Sequence, residues 1–176
     1  MPAPPIYTNA SHTGIHLTSG ADDFGSLGEI FAITFHHSAG PRAKSHTQAK
    51  ALHRSYQQTH IQRGFRDIGY HWAMDDEGRF YQLRPVKYKG AHTGEANTGN
   101  IGIMVHGNYM HDKLNRAQKD SLKWLFQGGF LQLTGEREKD IALIRGHQEW
   151  PGHRTNQCPG THLMRYIRYL RNKEFH

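Results

Sequence analysis

IFAITFHH, residues 30–37, is a nearly unbroken apolar run of β-branched and aromatic side chains that ends on two adjacent histidines. A short continuous run of this kind is the pattern of a strand covered on both faces. Working outward, IGIMVH at residues 101–106 repeats the pattern, closes on Gly107 and Asn108, and reads as a second central strand. Between them, residues 45–63 carry helix-favouring side chains and stop at Gly64, a C-terminal cap. Residues 70–74 and 79–83 flank the turn sequence DDEG and read as a hairpin. Asn115 can cap a helix through about residue 133, with Gly128 and Gly129 as the place where it kinks or ends early. Residues 141–144 read as a last short strand, and residues 161–172 as a final helix. Strands alternating with helices predict one α/β domain: a mixed sheet of about five strands flanked by about three helices. Residues 1–28, rich in Pro, Gly, Ser and Thr, predict an irregular N-terminal wrap, leaving residues 29–176 as the functional domain.

Composition narrows the function. A single cysteine, Cys158, excludes an internal disulfide framework and raises the question of a chemical role. The opening residues lack a basic start followed by an apolar run, so no secretory signal is expected and synthesis is expected to end in the cytoplasm. The longest apolar stretch falls far short of the about 20 residues of a membrane helix, and no span is expected. Lys and Arg number 22 against 15 Asp and Glu, a formal charge of +7. Such a field favours anionic partners: nucleic acid, acidic lipid or anionic wall polymer. Without a recognised basic motif, no specific nucleic-acid partner is expected. Arg165, Arg168 and Arg171, spaced by three, give the last helix a basic side, which reads as a solvated face or as a contact for anionic wall polymer or outer-membrane lipid.

Fifteen histidines turn the search toward metal and acid-base chemistry. His36 follows the first strand, His147 follows the last, and Cys158 precedes the final helix. Ends of strands are where α/β folds place reactive groups. Two imidazoles and a thiolate match a catalytic zinc site with three protein ligands and one open position. His36 and His37 alternate to opposite sides of an extended segment, so one of them alone can enter. The same residues also read as a small buried hydrophobe and solvated histidines.

FHHSAG (35–40), RDIGYHWAMDDEGRFYQLRP (66–85), GAHTGEANTGNIGIMVHGNY (90–109) and GHQEWPGHRTNQCPG (146–160) resemble, in order, the four signature segments of the type-two N-acetylmuramoyl-L-alanine amidases. That superfamily includes the peptidoglycan recognition proteins and the zinc lysozymes of tailed bacteriophages. The resemblance implies one Zn2+ on His36, His147 and Cys158. It places Tyr70 beside the metal-bound water or developing oxyanion, and His92 and Asn100 along the muropeptide groove. His37, His71 and Thr155 are assigned to the substrate side. Two departures stand out. The interval from His147 to Cys158, 158 minus 147 or 11 residues, is longer than usual, which points to an insertion near residues 150–153 and makes His153 a competitor for the metal. The position of a glutamate base used by some members holds Met104, and that of a lysine used by phage-type members holds Asn156, with Arg154 as its substitute if the loop alignment slips.

The resemblance implies a zinc-dependent hydrolase, bacteriolytic and antimicrobial, that cuts the amide between N-acetylmuramic acid and L-alanine. The expected setting is a monomeric phage endolysin, made in the host cytoplasm and acting on peptidoglycan after release. The alternatives are a peptidoglycan-binding module without catalysis, whose members usually carry serine at the third-ligand position, and a cytoplasmic muropeptide-recycling amidase.

Overall fold

The computed structural model describes residues 2–21, 24–137 and 140–174. Its centre is a mixed sheet of six strands: β1 (Ile6–Tyr7), β2 (Ala32–His37), β3 (Trp72–Met74), β4 (Phe80–Gln82), β5 (Asn100–Val105) and β6 (Leu143–Gly146). They lie in the order β1-β4-β3-β5-β2-β6. Every neighbouring pair is parallel except the β3–β4 hairpin.

Alternation along β2 and β5 divides the molecule into layers. Ile33, Phe35, Ile101, Ile103 and Val105 point to one face, where they pack with Leu122, Phe130, Leu163 and Ile167 of the helices α3 (Arg116–Trp124), α4 (Phe130–Thr134) and α5 (Thr161–Glu174), and with Phe126 between α3 and α4. Full burial of each such side chain contributes roughly 1.5–3 kcal/mol. The opposite face carries Ala73, Tyr81 and Met104 against Ala49 of α2 (His46–Gln62). This second face is thinner and far more polar, and it holds Thr34, His36, Asn100 and His106, all buried.

Local chemistry sets the helix ends. Ser45 caps α2 by accepting the Gln48 N–H, and Asn115 with Gln118 forms a reciprocal capping box on α3. The helix expected over residues 116–133 is interrupted. A π-type turn at Leu125–Gly129 separates α3 from α4, and Gly128 sits at φ 117°, a conformation that strains any side-chain-bearing residue.

The expected mixed sheet is present, with six strands. Two expectations are corrected. Residues 1–28 contain regular structure: β1 pairs with β4, and the short helix α1 (Ala10–Thr13) is capped by the Asn9 side chain. Elements of two and four residues are too short to show periodicity, and their order comes from the sheet edge and from α2. The last strand is displaced to Leu143–Gly146, where it pairs with β2.

Candidate metal centre

β2 and β6 run parallel, with Phe35 opposite Gly146. The residue after each is a histidine, His36 within β2 and His147 just past β6, so the two meet at the carboxyl ends with ring centroids 4.6 Å apart. Cys158 is brought back to them by the 147–158 loop, which closes with the Gln148 N–H donating to the Cys158 carbonyl at 2.9 Å. Trp150 anchors this loop, its Nε1–H donating to Thr34 Oγ1 at 2.8 Å. The result is a group in which one donor atom from each of His36, His147 and Cys158 lies within 4.8 Å of the others. Cys158 Sγ stands 3.5 Å from His36 Nδ1.

Electrostatics suit a cation. Burial, then neighbouring His92 and His147, hold His36 well below its ordinary pKa, and burial with His153 lowers His147 to about 4. Both imidazoles are therefore neutral at neutral pH, the form that ligates. Burial pushes the Cys158 thiol up to about 12, against the pull of the His37 N–H, and a nearby divalent cation is what reverses such a shift. Two convergent neutral imidazoles, beside a thiol that a bound cation would deprotonate, fit a zinc ion with one position open.

Each candidate ligand histidine is backed by another. His36 Nε2 lies 3.1 Å from His92 Nδ1, and His147 Nε2 lies 3.1 Å from His153 Nδ1. His92 Nε2 faces the Asn100 carbonyl at 3.0 Å and must carry its proton, so His92 Nδ1 accepts. His36 thus donates from Nε2 and keeps its Nδ1 lone pair toward Cys158. Asn156 Nδ2 sits 3.3 Å from His147 Nδ1, which puts the His147 lone pair on that nitrogen as well. Outer partners of this kind fix tautomer and ring orientation. His153, read from sequence as a competitor, supports His147 instead. Gly102 makes the arrangement possible, because a Cβ there would lie 2.7 Å from the His92 ring.

The other expected residues divide. Tyr70 precedes β3 and so escapes strand alternation; its ring is 5.1 Å from that of His36, and burial raises its pKa, leaving a neutral hydroxyl. With His92, His60 and Arg63 it lines a cavity of about 520 Å3. His71, expected on the substrate side, is buried: its Nδ1 accepts the Gly102 N–H and its Nε2 donates to the Tyr88 carbonyl. Asn100, expected in the groove, is buried too, accepting from Thr34 and donating to the Ala96 carbonyl. His37 points to the far side of β2 and accepts the Tyr109 N–H at 3.1 Å. Asn156 accepts the Cys158 N–H and shapes the loop, whereas Arg154 and Thr155 are exposed on it. His60 and Arg63 were missed because they reach the cavity from α2 and its C-terminal end, and their sequence setting is that of an ordinary helix.

The family model for N-acetylmuramoyl-L-alanine amidase matches residues 26–161. The chain belongs to this amidase family. Peptidoglycan-recognition protein SC1a of Drosophila melanogaster is 32% identical over 134 residues, 76% of this chain and 69% of that protein. The amidase-family fold recurs in the ectodomain complex of peptidoglycan recognition proteins LCa and LCx bound to tracheal cytotoxin, with TM-score 0.79, 25% identity, and coverage of 93% of this chain and 95% of the other. It recurs in the amidase LysC of Clostridium intestinale, with TM-score 0.69, 21% identity, and 97% of both chains covered. The family match and the sequence relative support peptidoglycan binding or amidase activity for this member of the family. Among the described residues no helix is long and apolar enough to cross a membrane.

Proposed function

We propose that the protein is a zinc-dependent amidase that hydrolyses the bond between N-acetylmuramic acid and L-alanine in peptidoglycan. The observation that carries this reading is the convergence of His36, His147 and Cys158 beside a cavity containing Tyr70. When bound, zinc supplies Lewis-acid polarisation of a carbonyl and water made acidic near neutral pH. The chain's own residues do the rest. The cavity positions the muropeptide so that its amide reaches the open side of the group. The neutral Tyr70 hydroxyl donates a hydrogen bond to the oxygen that gains charge, an interaction worth about 3–4 kcal/mol for one well-placed donor. His92 and His153 hold the two ligand rings.

The biological setting we propose is wall lysis by a phage endolysin. A second reading, muropeptide binding without cleavage, is favoured by the names of the sequence relatives. Digestion of purified peptidoglycan separates them. The amidase reading expects new amino groups on L-alanine, no new reducing sugar ends, and one zinc per chain. Tight muropeptide binding with no bond cut would establish the recognition module, and lysis of intact cells on external addition bears on the endolysin role.

A further inference from the structure

Away from the metal centre, α5 and the start of α3 border an open cavity of about 610 Å3. His162, Arg165, Tyr166 and Tyr169 recur at i, i+3, i+4 and i+7, so a single face of α5 builds one wall; Lys113 and Lys119 stand on the other. The tyrosine rings stack 5.9 Å apart at 24°. Both are held: Tyr166 Oη donates to the Lys119 carbonyl at 3.1 Å, and Lys173 Nζ donates to Tyr169 Oη at 3.2 Å.

Charge distinguishes this cavity from the rest of α5. Arg168 and Arg171 both pair with Glu149, so they are not available to a ligand, and the basic face read from the sequence reduces to Arg165. No carboxylate lines the cavity, and Lys113, Lys119 and Arg165 form no ion pair among the described residues. Unneutralised cations beside fixed aromatic faces match a ligand that is anionic at intervals and presents C–H surface between the charges.

We propose that this cavity binds a phosphodiester-linked polyol chain, the chemistry of an anionic wall polymer. Phosphates meet Lys113, Lys119 and Arg165, and the intervening polyol or sugar lies on Tyr166 and Tyr169. The concave shape suits one threaded chain. A bilayer surface would require protruding aliphatic side chains, whereas the apolar surface here is the recessed wall of Tyr166 and Tyr169, and the aliphatic Leu114 is only 7% exposed. The His162 N–H donates to the Tyr109 carbonyl, and the Tyr109 N–H in turn donates to His37; none of His36, His147 and Cys158 lines this cavity.

The test is titration of the full chain with poly(glycerol phosphate). Binding should weaken as salt rises. The double variant Lys119→Glu/Arg165→Glu, both positions exposed, should lose affinity about tenfold or more by reversing two charges. Tyr169→Ala should lose about threefold while keeping every cation of the cavity lining. Zinc content and turnover on a soluble muropeptide should match the unmodified protein in both variants. Absence of binding, undiminished binding by the charge-reversed variant, or equal affinity for an oligothymidylate or for phosphatidylglycerol vesicles would each overturn the proposal.

Discussion

Two histidine pairs occupy the same face of the sheet beneath α2, and they end differently. His36 and His92 meet nitrogen to nitrogen at 3.1 Å; His53 and His106 meet at 2.9 Å. Burial lowers the pKa of all four. In the second pair His53 Nδ1 donates to the Thr13 carbonyl at 2.6 Å, so its Nε2 accepts from His106. The remaining lone pair, on His106 Nδ1, is buried beside the Tyr56 ring with no hydrogen-bond partner among the described residues. In the first pair the remaining lone pair, on His36 Nδ1, faces Cys158 and lies next to His147. Desolvation is common to both pairs; convergence of lone pairs from separate elements belongs to one.

The largest expected effect removes that convergence. Cys158→Ser should abolish zinc binding and amide cleavage together, since a hydroxyl is a far poorer zinc ligand than a thiolate. Metal analysis beside turnover checks this, and full occupancy in the variant would dissolve the distinction between the pairs. Next, Tyr70→Phe should reduce turnover by about a hundredfold with zinc retained, the loss of one transition-state donor. Wild-type turnover would remove Tyr70 from the chemistry.

A finer test concerns the supporting rings. His92→Ala and His153→Ala should each weaken zinc binding about ten- to a hundredfold, measured by chelator competition, because tautomer and orientation are no longer held. Unchanged affinity would mean that the ligand rings are fixed by packing alone. The effect with least bearing on the metal belongs to the second pair. His53 titrates near 6.5 when unfolded and at about 4 when folded, so its contribution to stability is complete above pH 6.5 and is lost as pH falls toward 4. His46 and Arg54 face it and push in the same direction. The loss reaches up to about 3 kcal/mol and lowers Tm by several degrees. His53→Leu, in thermal melts from pH 7 to 4, should flatten this decline while leaving zinc bound at pH 7; an unaltered slope would assign the acid response elsewhere.

The grouping of His36 with His147 was legible in the sequence because each follows an apolar run, and strand ends are where such a fold exposes chemistry. The layering was legible for the same reason: runs as long as residues 30–37 and 101–106 leave little choice. What stayed hidden depends on contacts between distant segments. His71 and Asn100 sit in motifs with reactive neighbours, yet the backbone groups of Gly102, Tyr88 and Ala96 consume their hydrogen bonds. His153 changed from competitor to support because Trp150 pins its loop to Thr34.

The two-residue strand β1 has a consequence for how copies of the molecule meet. It covers the outer side of β4, with the Phe80 N–H donating to the Pro5 carbonyl at 2.9 Å. Lifting residues 2–8 away would leave a row of unpaired backbone donors and acceptors at one margin of the sheet, the template on which a strand from another chain adds. The same N-terminal segment continues into α1, whose Thr13 carbonyl sets the proton on His53. One strap therefore guards against strand exchange between molecules and orients a buried imidazole at the back of the sheet.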